Sequence, residues 1–295
     1  MRSEISILIP TFNDDCCDAV MELARQALEI EGLQFEILIG DDASDNAEIA
    51  ARNSQCTAIR SCRYIRVDEN VGRAAIRNRL AREARFEWLL FVDSGMGISR
   101  DDFVKTYLTT GQTPVYGGYA VSSDKHKSLQ SNLRYCYEMA AAEAHSAENR
   151  AKHPNQDFHT SNFLVEKSLF LQHPLDERFR HYGYEDVFWG KQLSEAGITI
   201  HHIDNPVAFD RFETNAQFVA KTEQGIRTLC TFRDELSGYS RLLKTARFVR
   251  SLGLGKPCRM LFAKKQKKWR EKLCANSPSL RLFSAYKLFY LLSIS

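Results

Sequence analysis

Nowhere in this 295-residue chain do apolar residues run uninterrupted by charge for the length of about 18 that a bilayer-crossing helix needs. No spanning helix is therefore expected. The N-terminus, MRSEISILIP, has too short an apolar run for a secretion signal and lacks a small-residue cleavage pattern. A cytoplasmic protein is the expectation. The eight cysteines, at positions 16, 17, 56, 62, 136, 230, 258 and 274, form no Cys-x-x-Cys pair and no Cys/His zinc spacing. Without an export signal they are expected to be reduced thiols, the adjacent Cys16 and Cys17 included. Low-complexity tracts and internal repeats are also missing. The 44% hydrophobic and 26% charged fractions are those of a globular chain, long enough for one large or two ordinary domains. The last absence is acid at one end. Residues 241–295 hold 14 lysines and arginines against one acid, Glu271, whereas residues 1–240 hold 26 against 36. A net charge of +3 conceals two electrostatically different objects.

The first hundred residues alternate short apolar runs with helical patterns. Ile5–Ile9, Phe35–Ile39, Tyr64–Val67 and Trp88–Val92 read as buried strands. Between them, Ala19–Ile30 and Ala74–Ala84 carry helical spacing, and Ser44-Asp45-Asn46 offers a cap to a short helix. Such alternation implies βαβ units and a doubly wound parallel sheet. Farther on, the pattern suggests a strand over Pro114–Val121 with an irregularity at Gly117-Gly118, and one polar helix over 127–150. A strand at Ser161–Val165, a helix from Glu185 to about Ala196, a late strand at Ile198–Ile203 and a helix from Asn215 follow. We expect a body over residues 1–215 and a helical, basic appendage over 216–295.

Open α/β sheets bind ligands outside the carboxyl ends of their strands. That rule singles out Thr11 after Pro10, Asp41-Asp42 and Asp93. A carboxylate only accepts hydrogen bonds, so it suits a ligand that donates them. For Asp41-Asp42 a turn with a helix cap is the competing reading. Asn70 and Gly72 precede a helix start that favours an anion, and Arg77 offers a guanidinium. Its neighbours Arg73, Arg79, Arg82 and Arg85 read as a solvated helix face.

The motifs IPTFN (9–13), EILIGDDASDN (36–46), NVGRAAIRN (70–78), the Asp-ended strand at 88–93 and YGYEDVFWG (182–190) stand in one order. Together they resemble the family-2 glycosyltransferases of GT-A fold over about residues 4–210. LDERFRHYGYED at 175–186 and HIDNPV at 202–207 look most like bacterial members that build surface polysaccharides. The resemblance implies a GT-A, Rossmann-like, mostly parallel α/β sheet flanked by helices. It also implies transfer of a sugar from a nucleotide diphosphate donor, UDP before GDP, to an acceptor hydroxyl, with inversion. The donor cradle would be Pro10, Thr11, Asp42, Asn70, Gly72, Arg77 and Asp93. Asp186 would be the base, with Glu185 supporting it or binding acceptor hydroxyls, while Tyr182, Tyr184 and Trp189 would offer faces for sugar stacking. Both acids would also suit a helix dipole without any catalytic role.

The family pattern has Asp-x-Asp where this chain has Asp93-Ser94-Gly95. Three readings stand: a donor-dependent Mn²⁺ or Mg²⁺ on Asp93, with His202 as a second candidate ligand; metal-independent transfer with arginine or lysine compensating; or an inactive relative. Mg²⁺ suits a sparse site, since it keeps waters and uses substrate phosphates. On this alignment Gly95→Asp is expected to strengthen Mn²⁺ binding.

The block AKKQKKWREK at 263–272 suits an anionic membrane surface, and packing on the acidic body is the other reading. No reader of nucleic acid is recognisable, so nucleic acid is not an expected partner. The chain is thus expected at the inner membrane face, acting on a glycan or lipid-linked acceptor. A non-catalytic nucleotide-sugar-binding or assembly protein is the alternative, and a nucleotidyltransferase a third. Donor sugar and acceptor depend on loops such as 112–160, for which no spacing rule exists.

Overall fold

A computed structural model describes residues 1–121 and 127–295. Residues 122–126, within the 112–160 segment, lie outside the described residues. The chain forms two compact units. The first comprises Met1–Ala120, Glu143–Arg180 and Glu185–Arg211; the second comprises Val121–Ala142, His181–Tyr184 and Phe212–Ser295.

In the first unit β1 (Glu4–Thr11), β2 (Gln34–Asp41), β3 (Cys62–Arg66) and β4 (Trp88–Val92) run parallel. They are linked through α1 (Cys17–Glu29), α2 (Ala47–Gln55) and α3 (Arg73–Glu83). Asn46 caps α2, its side chain accepting from the Glu48 and Ile49 amides. Alternate residues of β1 bury into opposite cores. Ile5, Ile7 and Ile9 pack with Val20 and Leu23, and Leu8 packs with Leu38, Leu80 and Phe91. Each such side chain contributes about 1.5–3 kcal/mol on burial, and truncating Leu8 to Ala costs about 2–5 kcal/mol. The register pairs Thr11 with Asp41 and Asp41 with Arg66. Three strands therefore end level, and their polar residues share one edge.

Beyond β4 the sheet stays mostly parallel, as expected, with one strand reversed. After α4 (Phe103–Thr109) come β5 (Val115–Tyr116), β6 (Tyr119–Ala120), β7 (Asn162–Glu166), β8 (His201–His202) and β9 (Val207–Ala208). The order is β3-β2-β1-β4-β7-β5-β8, and β7 is antiparallel to both neighbours. β6 and β9 form a separate parallel pair. The run 114–121 is thus two short strands. The break falls at Gly118, whose φ is +89° and where an added Cβ would collide with the Arg150 guanidinium. That buried guanidinium donates to the Gly117 and Ile203 carbonyls at 3.1 and 3.0 Å. The late strand shrinks to His201–His202.

The helix expected over 127–150 is divided into a 3₁₀ turn (Lys127–Ser131), α5 (Leu133–Ala141) and α6 (Ala147–Arg150). Asn132 and Ser146 each cap a new start with their own side chains. α7 (Lys167–Gln172) and α8 (Glu185–Glu195) complete the first unit.

In the second unit, α5 is joined by α9 (Asn215–Thr231), α10 (Arg241–Ser251), α11 (Gly255–Cys274) and α12 (Leu280–Ile294). A full capping box of Thr214 and Gln217 starts α9, and Ser240 and Ser279 cap α10 and α12. Phe262, Leu273, Phe283, Tyr286, Leu291 and Leu292 are buried. Glu223 accepts from Arg270 at 3.1 Å and from the Tyr286 hydroxyl at 2.5 Å. Among the described residues no helix is long and apolar enough to cross a membrane.

Candidate active site

At the edge where β1, β2 and β4 end, the two adjacent acids do different work. Asp41 is fully buried. It accepts from the Ser44 amide at 2.7 Å and from the Tyr64 hydroxyl, which makes it a brace for the turn. Asp42 accepts from the amides of Val71 (2.7 Å) and Gly72 (2.9 Å), while Asn70 Nδ2 donates to the Asp42 carbonyl at 3.0 Å. Burial raises the Asp42 pKa, and the two amides oppose that rise. Two motifs far apart in sequence are thereby latched together. Gly72 permits the latch: its φ is +90°, and a Cβ there would meet the Arg180 carbonyl oxygen at 2.8 Å. Pro10 and Thr11 lie alongside, and the Thr11 hydroxyl donates to the Asp14 carbonyl at 2.8 Å.

Asp93, just past β4, faces two guanidinium groups. Arg77 Nη2 donates to its Oδ1, and Arg73 Nη2 lies 3.5 Å from its Oδ2. Arg77 is buried and also donates to the Arg73 carbonyl at 2.9 Å. It therefore clamps Asp93, and that engagement replaces the expected guanidinium presented to the donor. Arg73 corrects another expectation. Instead of lying on a solvated face, it reaches Glu185 Oε1 at 2.7 Å and so bridges α8 to Asp93. Glu185 is buried, and its Oε2 has no hydrogen-bond partner among the described residues.

Asp186 stands in the first turn of α8. Its Oδ1 accepts from the Val187 amide at 2.8 Å, and its Oδ2 lies 2.9 Å from His159 Nδ1. Burial alone would raise this pKa. The hydrogen bond and charge of His159, the Val187 amide and Arg73 outweigh it and hold the carboxyl below its usual range. His159 escaped the sequence reading; 27 residues separate it from Asp186, and no spacing rule links them.

Two expected site residues fall elsewhere. Trp189 is wholly buried against Phe158, Phe163 and Phe170. It is a core residue and offers no face to a sugar. His202 has both ring nitrogens engaged, Nδ1 with Arg150 Nε at 3.1 Å and Nε2 with the Pro154 carbonyl at 2.8 Å. Burial, with Arg150 adding to it, lowers its pKa to about 4. It is a neutral brace with no nitrogen left for a metal. Tyr182 and Tyr184 belong to the second unit, where Thr228 donates to the Tyr182 carbonyl and the Lys221 ammonium lies 4.6 Å over the Tyr182 ring.

Gly95 raises the matter of a cation. A Cβ built there would meet Asp14 Oδ2 at 2.5 Å. The Asp14 carboxylate thus fills the space of the missing side chain, held by Ser94 at 3.4 Å and Arg211 at 3.2 Å. Burial raises the Asp14 pKa. A second carboxylate at position 95 would sit against the first, whose tip must move to admit it. With Asp93 facing two guanidiniums and no cluster of three metal-ligating side chains among the described residues, the donor set does not fit a protein-caged Mn²⁺ or Mg²⁺.

The sequence pattern described as Glycosyl transferase family 2 matches residues 6–172, a span that ends before Glu185. No curated protein sequence matches the chain. Among solved structures, a mannosyltransferase from Pyrobaculum calidifontis in complex with GDP-Man and Mn²⁺ aligns over 99% of this chain and 86% of its own. The TM-score is 0.56 at 12% identity, which shows the fold. The glucosyl-3-phosphoglycerate synthase of Mycobacterium tuberculosis, in complex with Mn²⁺, UDP and glucosyl-3-phosphoglycerate, aligns over 78% of this chain and 79% of its own (TM-score 0.47, 16% identity). TarS residues 1–349 of S. aureus align over 99% and 90% (TM-score 0.46, 13% identity).

Proposed function

The chain belongs to glycosyl transferase family 2 and is a nucleotide-sugar-dependent glycosyltransferase of GT-A fold, and on that premise we propose that it moves a hexose-type sugar from a UDP-sugar to a hydroxyl of a lipid-carried glycan, with inversion. The pathway is assembly of a surface polysaccharide at the inner membrane face. The observation that carries this reading is the Asp186–His159 pair at the start of α8, a carboxyl kept ionised although largely buried.

Asp186 takes the proton of the acceptor hydroxyl as that oxygen attacks the anomeric carbon from the face opposite the diphosphate. The bond from carbon to phosphate oxygen breaks, and its electron pair leaves on UDP. His159 holds Asp186 in place and favours its ionised form. Thr11, Asp42, Asn70 and Gly72 cradle the nucleoside, a role supported by their convergence at one sheet edge. Arg73, pinned by Glu185, presents positive charge towards the leaving diphosphate, in the place that a metal ion fills in metal-dependent transfer. Dependence on Mn²⁺ or Mg²⁺ is weak.

A panel of UDP- and GDP-sugars, each with Mn²⁺ and with EDTA, tests this reading. Release of UDP from at least one donor, retained in EDTA and lost in Asp186→Asn, is expected. Identical behaviour of wild type and Asp186→Asn across the panel defeats it, and release of pyrophosphate identifies a nucleotidyltransferase instead.

A further inference from the structure

The second unit leaves apolar side chains uncovered where its charge is most one-sided. Between Glu235 and Glu271 stand eleven lysines and arginines and no acid. In the same stretch Phe248, Leu252, Leu254, Met260 and Leu261 are exposed, Phe248 by 63% and Met260 by 66%. These five lie within fourteen residues, across the elbow from the end of α10 to the start of α11. The inward apolar face of α10 is already used: Ala246 is buried, and Leu242, Leu243 and Val249 are partly so. The exposed apolar groups are therefore a second set, which the packing does not explain.

Helical phase continues that set into a basic stripe. At 3.6 residues per turn, Met260, Leu261, Lys264, Lys265, Lys268 and Lys272 share one side of α11. All six are exposed. Phe262 and Leu273 point the other way and are buried. One long helix thus shows apolar groups at its N-terminal end, lysines along the same face, and a buried back.

We propose that the α10–α11 elbow and the exposed face of α11 lie on an anionic lipid bilayer, with the five apolar side chains entering the headgroup region and the lysines resting on lipid phosphates. The inference deepens the reading of a lipid-carried acceptor and rests on it for its purpose, while the contact itself rests on the helix chemistry. Lysine charge matches anionic headgroups, and apolar groups beside them gain from leaving water. A free polyanion would satisfy the lysines and leave Phe248, Leu252 and Met260 in water. A second copy of the chain is a poor occupant, because a two-fold contact sets the same basic patch against itself.

Co-sedimentation of the full chain with phosphatidylcholine vesicles, with and without phosphatidylglycerol, tests the proposal. Binding only to vesicles containing phosphatidylglycerol is expected. Lys264→Glu/Lys265→Glu/Lys268→Glu should weaken it by at least about 100-fold, given the worth of each basic residue at such a surface. Phe248→Ser/Leu252→Ser/Met260→Ser should weaken it at least about tenfold and sharpen its sensitivity to salt. All six replaced residues are exposed, and circular dichroism checks that both variants fold. The proposal is overturned if wild type ignores anionic vesicles, if the serine variant binds as wild type does, or if the patch instead forms a dimer that those serines dissolve. UDP release from the donor, measured without vesicles, tests the transferase reading separately.

Discussion

The two units use their charge in opposite ways. In the first, guanidinium and carboxylate groups are turned inward and paired: Arg77 and Arg73 on Asp93, Arg73 on Glu185, His159 on Asp186. In the second, α11 sends lysines outward, and among the described residues no ion pair joins Lys264, Lys265 or Lys268 to an acid. Paired charge in a part-buried site fixes geometry and responds little to salt. Unpaired charge on a surface attracts at a distance and is screened within about 8 Å at physiological ionic strength. One arrangement suits chemistry, and the other suits docking.

Substitutions should keep these two behaviours apart. The largest effect is expected from Asp186→Asn, which should lower UDP release about 10³-fold while a donor-induced melting shift persists, because only the proton acceptor is lost. Arg73→Gln removes a single guanidinium that touches both Glu185 and Asp93. A loss of about 100-fold in kcat is expected, with a smaller change in KM. If Arg73→Gln leaves kcat intact, the charge on the diphosphate comes from elsewhere.

Gly95→Asp should by itself lower the melting temperature, since its side chain enters the space of the Asp14 carboxylate. Adding Asp14→Asn should recover stability and raise Mn²⁺ affinity above that of either single variant, as read by titration calorimetry. Equal Mn²⁺ affinity in the double variant and wild type would show that position 95 is not aligned with the second acid of Asp-x-Asp. The smallest effect concerns pH. The Asp186 pKa is depressed, so its ionised form persists as pH falls below about 4, the usual aspartate value, and activity is lost only beneath that. In His159→Ala the burial that opposes ionisation loses its main counterweight, with only the Val187 amide and Arg73 still opposing it, so the acid limb of the pH profile moves up. An unmoved limb would leave His159 a structural neighbour only.

How far the sequence reveals the site depends on distance along the chain. Strands ending in Thr11, Asp41 and Val92 were legible because parallel strands read as short apolar runs with polar stops. Asp42 was legible as a candidate, and its latch to Gly72 required the fold. Arg73 could have been found, because it lies four residues from Arg77 and thus on the same helix face. Trp189 gave a similar signal: with Leu193 four residues on, it forms an apolar stripe that points to the core. His159 and Asp14 gave none, because their partners Asp186 and Gly95 are 27 and 81 residues away. The antiparallel β7 was hidden for a related reason, since a buried strand carries the same apolar run in either direction.

The separation of the two units can be measured in one paired experiment. Asp186→Asn and Lys264→Glu/Lys265→Glu/Lys268→Glu would be compared with wild type for UDP release without vesicles and for binding to phosphatidylglycerol vesicles. Asp186→Asn should lose UDP release and keep vesicle binding, and the lysine variant should do the reverse. Loss of both properties together in either variant would contradict the division of chemistry from docking.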